Sequence, residues 1–335
     1  MLRWQTRSYR RSFRKPMKTA HGLWQQREGI ILRFEDEWNR HWFSEISPIP
    51  WFGTETLQAV KAFCDRWPPT FEAESVSQIP DTLPVCQFGF GWARYPHLTS
   101  GYSDSEPKDR ALEPWHLAPG DVCALLPAGN AALSNWPSLW QVGHRTFKWK
   151  IGVLGVHEEI ATFKTLLEML PQNAKVRLDA NGGLTSEEAE LWLSACDAFP
   201  HKVEFLEQPL SPDLVLSWLP SIRPRFKTAI ALDESVASLR QLQQIHQRLG
   251  SQVVYVAKPV IAGFPDQLLT FCLENQLDMV VSSALETPIG RNAVLKLTSH
   301  LWQAGIPKRA LGFGVGHWFA DDWQAVSEEE LWERL

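Results

Sequence analysis

The sequence predicts an α/β barrel of the TIM type behind an α+β lobe, and three observations predict it. From residue 121 onward, eight short apolar runs alternate with amphipathic helical segments of roughly 10 to 15 residues, the pattern of parallel strands joined by helical crossovers. A polar residue late in each of six successive runs recurs at intervals of 24–29 residues, one βα unit apart. The first hundred residues show neither feature.

Length and composition agree with such a chain. At 335 residues it accommodates a barrel with an appendage, and 44% hydrophobic with 21% charged residues excludes wholesale disorder. The net charge of −5 argues against a nucleic-acid partner, whose phosphates the chain would repel. No apolar run reaches the ~18–20 residues of a membrane helix and no apolar segment follows a basic start, so no membrane partner and a soluble, cytoplasmic protein are expected. The five cysteines are odd in number and far apart, which suits buried thiols in a reducing compartment. Seventeen tryptophans are scattered and add core and rim area without pointing to a chemistry.

In chain order, the basic stretch Arg3, Arg7, Arg10, Arg11, Arg14, Lys15 and Lys18 resembles an organelle transit segment in charge alone. Its apolar residues Trp4, Tyr9 and Phe13 lack a helical period and Pro16 interrupts any helix, so it reads as a strand with basic edges. Residues 28–36 and 40–46 read as an antiparallel hairpin. Residues 54–67 read as a helix with a threonine N-cap and Leu57, Val60, Phe63, Cys64 and Trp67 on one face, ended by Pro68-Pro69. Residues 95–120, dense in Pro, Ser, Gly and charge, read as a loop that is lid, linker or disorder.

The eight runs that follow are VCALLPAG, TFKWKIGV, KVRLDANG, VEFLEQP, IALDESV, VVYVAKPVI, MVVSSALE and ALGFGVG. Helices are expected at 158–170, at 186–199 behind a Thr185/Glu188 capping box, at 239–249 closed by Gly250, and at 292–304. Gly312 to Gly316 (GFGVG) is not a dinucleotide-binding fingerprint and reads as the turn that closes the barrel, with backbone N–H groups available to a substrate carboxylate. The ten histidines show no metal-ligand spacing, and His144 and His157 read as structural.

In a barrel, residues late in the strands point into the mouth, where barrel active sites lie. Lys150, Asp179, Glu207, Asp233, Lys258 and Ser282 therefore ring one pocket. Taken singly, each acid reads equally well as a salt-bridged rim residue. Three carboxylates from successive strands, with no His or Cys among them, instead suit a hard cation such as Mg²⁺, with Mn²⁺ as a substitute. Alternation puts Lys148 and Lys150 on one face. An interior lysine beside a second ammonium and a divalent cation should have its pKa lowered toward working pH and serve as a general base. Lysines on both sides of the acids suggest proton abstraction next to a carboxylate, with the metal offsetting the charge that builds on oxygen.

The set KWK, LDAN, LEQP, LDES, AKP and SSALETPIG resembles the enolase superfamily, in the muconate-lactonising branch that places a lysine on each side of the metal. The resemblance covers nearly the whole chain, and FRKPMKTAHGLWQQREGIILRFED is similar to the capping-lobe loop that closes over substrate. It implies a modified (β/α)7β barrel at 106–315, an α+β N-terminal capping domain at 1–105, and a tail at 316–335 available to pack on the cap. It implies Mg²⁺ on Asp179, Glu207 and Asp233, supported by Asn181. Lys150 is then the base that abstracts a proton alpha to a carboxylate and returns it to a departing hydroxyl. Lys258 stabilises the enediolate from the opposite face, and Lys148 tunes Lys150. Ser282 and Ser283 would contact the substrate, with Arg177, Thr19 and His21 as further contacts. Gln208 stands where a second acid is common in relatives, lowering the outer charge by one. The partner is a small-molecule carboxylate, and a monomer suffices.

Two competing readings share this sequence. A 1,1-proton transfer, such as racemisation of N-acylamino acids or epimerisation of dipeptides, uses the same metal and lysines. A barrel that had lost catalysis would show a substitution in the ring, and the ring has none.

Overall fold

The computed structural model describes residues 1–19, 22–95 and 117–335. The basic N-terminal stretch is a strand, β1 (Leu2–Thr19), antiparallel to β2 (Gly22–Glu35), which pairs in turn with β3 (His41–Ile46). A short β4 (Thr70–Phe71) completes a four-stranded sheet of order β3-β2-β1-β4. In β1, Tyr9, Arg11 and Phe13 are buried while Arg10, Ser12 and Arg14 are exposed, the period of two expected for a half-buried sheet. Pro16 falls where the β1–β2 register shifts, between Ser12 and Met17, a place where its missing N–H costs no ladder bond. The expected hairpin is β2–β3, whose turn is tied by Asp36, a carboxylate that accepts from the backbone N–H of Trp38 and Arg40.

Two helices line the inner side of this sheet. In α1 (Leu57–Cys64) the N-cap is Thr56, whose hydroxyl accepts from Ala59 N at 3.2 Å, while Thr54 accepts from Ile49 N. Helix α2 (Pro84–Gly91) has no counterpart in the sequence reading: all eight residues are buried, so it carries no polar face to set a period. Its first N–H groups, Val85 and Cys86, are capped by the buried carboxylate of Glu55.

The barrel strands are β5 (Ala124–Leu126), β6 (Thr146–Lys150), β7 (Lys175–Asp179), β8 (Val203–Glu207), β9 (Ile230–Leu232), β10 (Val254–Ala257) and β11 (Met279–Val281), parallel and in sequence order. The eighth apolar run is reduced to two residues. Leu311 bridges Val122 and Gly312 bridges Ser282, both in parallel, so the sheet is joined edge to edge across this seam. Glycine is required at 312, because a Cβ there would lie 2.3 Å from Ser282 Oγ and 2.9 Å from its Cβ.

Crossover helices are α3 (Ala132–Gln141), α4 (Val156–Met169), α5 (Ser186–Asp197), α6 (Pro212–Ile222), α7 (Leu239–Leu249), the short α8 (Pro259–Ala262), α9 (Pro265–Glu274) and α10 (Pro288–Gln303). The Thr185/Glu188 capping box forms as expected, and Gly250 follows α7. Toward the N-terminal ends of the strands, Arg177 pairs with Glu204 at 2.6 Å, Arg309 with Glu204 at 2.8 Å and with Asp278 at 2.6 Å, forming a charged floor.

After the seam the chain returns to the capping sheet. Phe319 bridges Phe13 and stacks on it at 5.0 Å, Arg11 grips Asp321 with two 2.9 Å bonds, and α11 (Glu328–Arg334) packs Leu331 and Trp332 with Tyr9, Ile31, Phe43 and Ile289. All five cysteines are free thiols, four of them buried and Cys64 half-buried. Among the described residues no helix is long and apolar enough to cross a membrane. The expected loop at 95–120 falls almost wholly outside the described residues.

Candidate active site

The strand ends gather the acids and lysines at one end of the barrel. Register pairs Lys150 with Asp179 and Asp179 with Glu207. Lys148 Nζ lies 2.7 Å from Asp179 Oδ2 and 2.8 Å from Glu207 Oε1. On the other side Lys258 Nζ contacts Asp233 Oδ1. The three carboxylates are buried, 8%, 2% and 6% exposed for Asp179, Glu207 and Asp233.

Lys258 is itself buried, and its ammonium lies 4.7 Å from the centre of the Phe52 ring, so an aromatic group of the N-terminal lobe reaches the barrel lysine. Phe52 was not legible as a site residue, because only the docking of the two lobes brings it there. Lys150 differs from the expectation of an interior lysine: its side chain is exposed at the end of β6, near enough for its charge to act on Asp179.

The electrostatics follow from burial and proximity. Burial works against the ionisation of Lys148, but the charges of Asp179, Glu207 and Asp233 outweigh it and hold the ammonium well above its usual value. Burial likewise opposes the Asp179 anion, yet Lys148 and the N–H of Asn181, 3.0 Å from Asp179 Oδ1, hold it below the usual range. Glu207 goes the other way: burial pushes it up to about 8, Lys148 opposes, and the neighbouring charges of Asp179 and Asp233 add to the rise. The two acids share one lysine, but Asp179 also has the Asn181 N–H and the charge of Lys150 in its favour while Glu207 meets two neighbouring anions, so their directions differ.

The backbone is strained around this ring. Asn181 (φ 44°), Gln208 (φ 37°) and Leu285 (φ 64°) occupy the left-handed region just beyond the ends of β7, β8 and β11. Such conformations cost about 1 kcal/mol or more for non-glycine residues and persist only where the surroundings enforce them. At Gln208 the enforcement is visible. Its buried amide donates to Leu210 O and Ser235 Oγ, both at 2.9 Å, and its carbonyl accepts from Asp233 N at 3.1 Å, tying the end of β8 to that of β9. Asn181 donates to Glu234 Oε1 at 3.1 Å, and burial pushes Glu234 up to about 7, its second oxygen having no partner among the described residues.

Ser283 uses its hydroxyl inward, donating to Glu286 Oε2 at 3.0 Å and accepting from Leu285 N at 2.9 Å. Ser282, fixed by its N–H to Ala257 O, keeps a hydroxyl with no hydrogen-bond partner among the described residues. Arg177 is not brought to the mouth. Its guanidinium is held by Glu204 at 2.6 Å and by Ala310 O at 2.7 Å, on the side of the charged floor. Thr19 donates to Gly22 O at the tip of the β1–β2 hairpin. His21 lies outside the described residues.

Among the described residues no three His, Cys, Asp or Glu side chains are drawn together tightly enough to hold an ion, since each of the three acids faces an ammonium. The donor set nonetheless fits a hard divalent cation: oxygen-only ligands, buried, from three adjacent strands, with a like-charge repulsion at Glu207 that a cation relieves.

Residues 135–324 match the profile of the enolase C-terminal domain-like family. The whole chain is 40% identical over 342 residues to the o-succinylbenzoate synthase of Thermosynechococcus vestitus, covering 99% of that protein. Among solved structures, the o-succinylbenzoate synthase of Thermosynechococcus elongatus BP-1, which holds Mg in its active site, superimposes with a TM-score of 0.85 at 39% identity, over 99% of this chain and 100% of that one. The L-Ala-D/L-Glu epimerase of Bacillus subtilis shares the fold at 19% identity, with a TM-score of 0.72 over 96% of this chain and 91% of that one.

Proposed function

The chain belongs to the o-succinylbenzoate synthases of the enolase superfamily, and on that premise we propose which of its residues carry the reaction. It is a Mg²⁺-dependent hydro-lyase of menaquinone and phylloquinone formation. The substrate is 2-succinyl-6-hydroxy-2,4-cyclohexadiene-1-carboxylate and the product 2-succinylbenzoate. Asp179, Glu207 and Asp233 are the residues that would hold the metal. Bound there, Mg²⁺ supplies positive charge against the negative charge that builds on a substrate carboxylate.

Lys150 Nζ, in its neutral form, takes the proton alpha to the ring carboxylate, and the C–H electron pair moves toward the carboxylate oxygens. The electrons then return, the C–O bond to the ring hydroxyl breaks, and Lys150 gives the same proton to the departing oxygen. Water leaves on the face from which the proton was taken, and the ring becomes aromatic. Lys258 faces the opposite side as an ammonium beneath Phe52, where it offsets the developing charge. Lys148 keeps Asp179 and Glu207 paired and apart, and Asn181 orients Asp179 through its N–H. Ser282 offers the free hydroxyl for a substrate oxygen; Ser283 shapes the turn from behind. Thr19, at the end of β1, and His21 would contact the substrate from the capping side. Domain limits of 1–105 and 106–315, with the tail 316–335 on the cap, go with this reading. So does a cytoplasmic location, for which the five free thiols suit a reducing compartment.

The observation that supports this reading best is the pairing of Lys148 with Asp179 and Glu207 opposite Lys258 with Asp233. The test is loss of diene absorbance with the cyclohexadiene substrate, with and without Mg²⁺, in wild type, Lys150→Ala and Asp233→Asn. Metal-dependent turnover abolished by both substitutions supports the roles. A wild type inert in that assay that exchanges the alpha proton of N-succinylamino acids or dipeptides in D₂O moves the assignment to 1,1-proton transfer.

A further inference from the structure

Glu45 is an acidic side chain with no exposure at all, on β3 of the capping sheet, and among the described residues its partners are Tyr9, Thr287 and Gly290. Tyr9 OH donates to Oε1. On the other side, Oε2 accepts from Thr287 N at 2.9 Å, from Gly290 N at 3.1 Å, and from the Thr287 hydroxyl. Thr287 is the N-cap of α10 but makes no side-chain cap of its own, so the carboxylate that caps this barrel helix comes from the other lobe. The fit is close: a Cβ at Gly290 would lie 2.5 Å from Glu45 Oε2.

Glu45 does not act alone. Arg27 on β2, 1% exposed, donates to Ala284 O at 3.2 Å, and Arg11 on β1, equally buried, donates to Glu286 O at 3.2 Å. Three neighbouring strands of the cap thus each send one buried charged side chain into residues 284–290. That segment begins directly after Ser282 and Ser283 and contains the strained Leu285 and the carboxylate that anchors Ser283. A segment with a left-handed residue and an inward-facing hydroxyl needs an external hold to keep one shape.

We propose that Glu45 is a positioning residue for substrate binding: from the capping sheet it fixes the start of α10, and through it the turn that presents Ser282 to the barrel mouth. This rests on the reading of Ser282 as a substrate contact. Glu45 touches neither substrate nor metal, so its removal should weaken binding more than it slows the chemical step.

The experiment compares Glu45→Leu with Glu45→Gln in the full-length, Mg²⁺-loaded enzyme. Leucine removes every acceptor. Glutamine can keep its carbonyl on Thr287 and Gly290 and turn its amide toward Tyr9, whose hydroxyl then accepts. Glu45→Leu should raise KM roughly tenfold or more with kcat within about threefold, and Glu45→Gln should restore KM to within about threefold of wild type. Asp197→Leu is the control: Asp197 accepts the same kinds of donors, Thr228 N, Lys227 N and the Thr228 hydroxyl, away from the mouth. It should lower the melting temperature and leave KM alone.

If Glu45→Leu only lowers the melting temperature, as the control does, while Ser282→Ala raises KM, Glu45 is structural and the proposal is overturned. If Ser282→Ala leaves KM unchanged, the reading of the segment as a substrate surface fails and takes the proposal with it. Should Glu45→Leu not fold, Thr287→Val deletes one bond to Glu45 and decides: a KM raised about fivefold or more supports the proposal, and a KM within about threefold of wild type overturns it.

Discussion

The ammonium of Lys148 reaches past the intervening strand β7 to Glu207 Oε1, 2.8 Å away, while also contacting Asp179 at 2.7 Å. One lysine therefore pairs with acids on two further strands, at the place where a divalent cation would offset more of their charge.

Lys148→Met should test that substitution of charges. Breaking a buried pair costs about 3 kcal/mol, so the metal-free variant should melt at lower temperature than wild type. Mg²⁺ should raise its melting temperature by more than it raises that of wild type, because the carboxylates have lost their competing cation. Equal shifts in a thermal scan would refute the idea.

Gln208→Glu should destabilise this chain. A carboxylate cannot donate to Leu210 O or Ser235 Oγ, which leaves a buried group unsatisfied at a cost of about 1–3 kcal/mol. The introduced carboxyl, buried beside Glu207 and Asp233, would titrate above its unfolded value, so the protein should lose stability as pH rises through that value. Urea unfolding should show a larger deficit at pH 8 than at pH 5.

Lys296 on α10 is held down to about 8 by burial, with Glu328 opposing. Its folded value lies below the ordinary ~10.4 of an unfolded lysine, so the unfolded chain binds more protons between the two values and stability rises over that window. Below about pH 8 the cost is fully present, on the order of 3 kcal/mol. Lys296→Met should therefore stabilise the protein at pH 7, and the gain should fade by pH 10 to 11, read as the difference between urea curves of variant and wild type.

Arg177→Met should separate floor from mouth. Removing one partner of its ion pair with Glu204 should cost about 3 kcal/mol of stability while leaving KM unchanged. A raised KM in a well-folded variant would return Arg177 to the substrate contacts.

What the sequence made legible was whatever repeats. The strand runs, the polar residue late in each, the β2–β3 hairpin and the Thr185/Glu188 box are all local, and their spacing survives without tertiary information. What it concealed was either featureless or distant. Helix α2 has no polar face, α3 and α6 carry Pro137 and Pro220 inside their patterns, and the last barrel strand is only Leu311 and Gly312. Strand alternation gives a face but not a depth, so the pairing of Arg177 with Glu204 was not legible. Phe52 and Glu45 reach their partners only when the two lobes dock, and no window of the sequence contains both ends of such a contact.

The seam at Leu311 and Gly312 also sets an order of events during synthesis. The cylinder's first edge at Val122 leaves the ribosome long before its last, and the closing bridges join the two. Until then the growing sheet has an open margin, and bringing such distant residues together is the slow, entropically costly kind of step. The partners of Arg11 at Asp321 and of Phe13 at Phe319 emerge later still. The first strand to be made is thus among the last to be fully covered, and a nascent chain stalled before residue 311 would expose both an unpaired barrel edge and a bare capping face to chaperones.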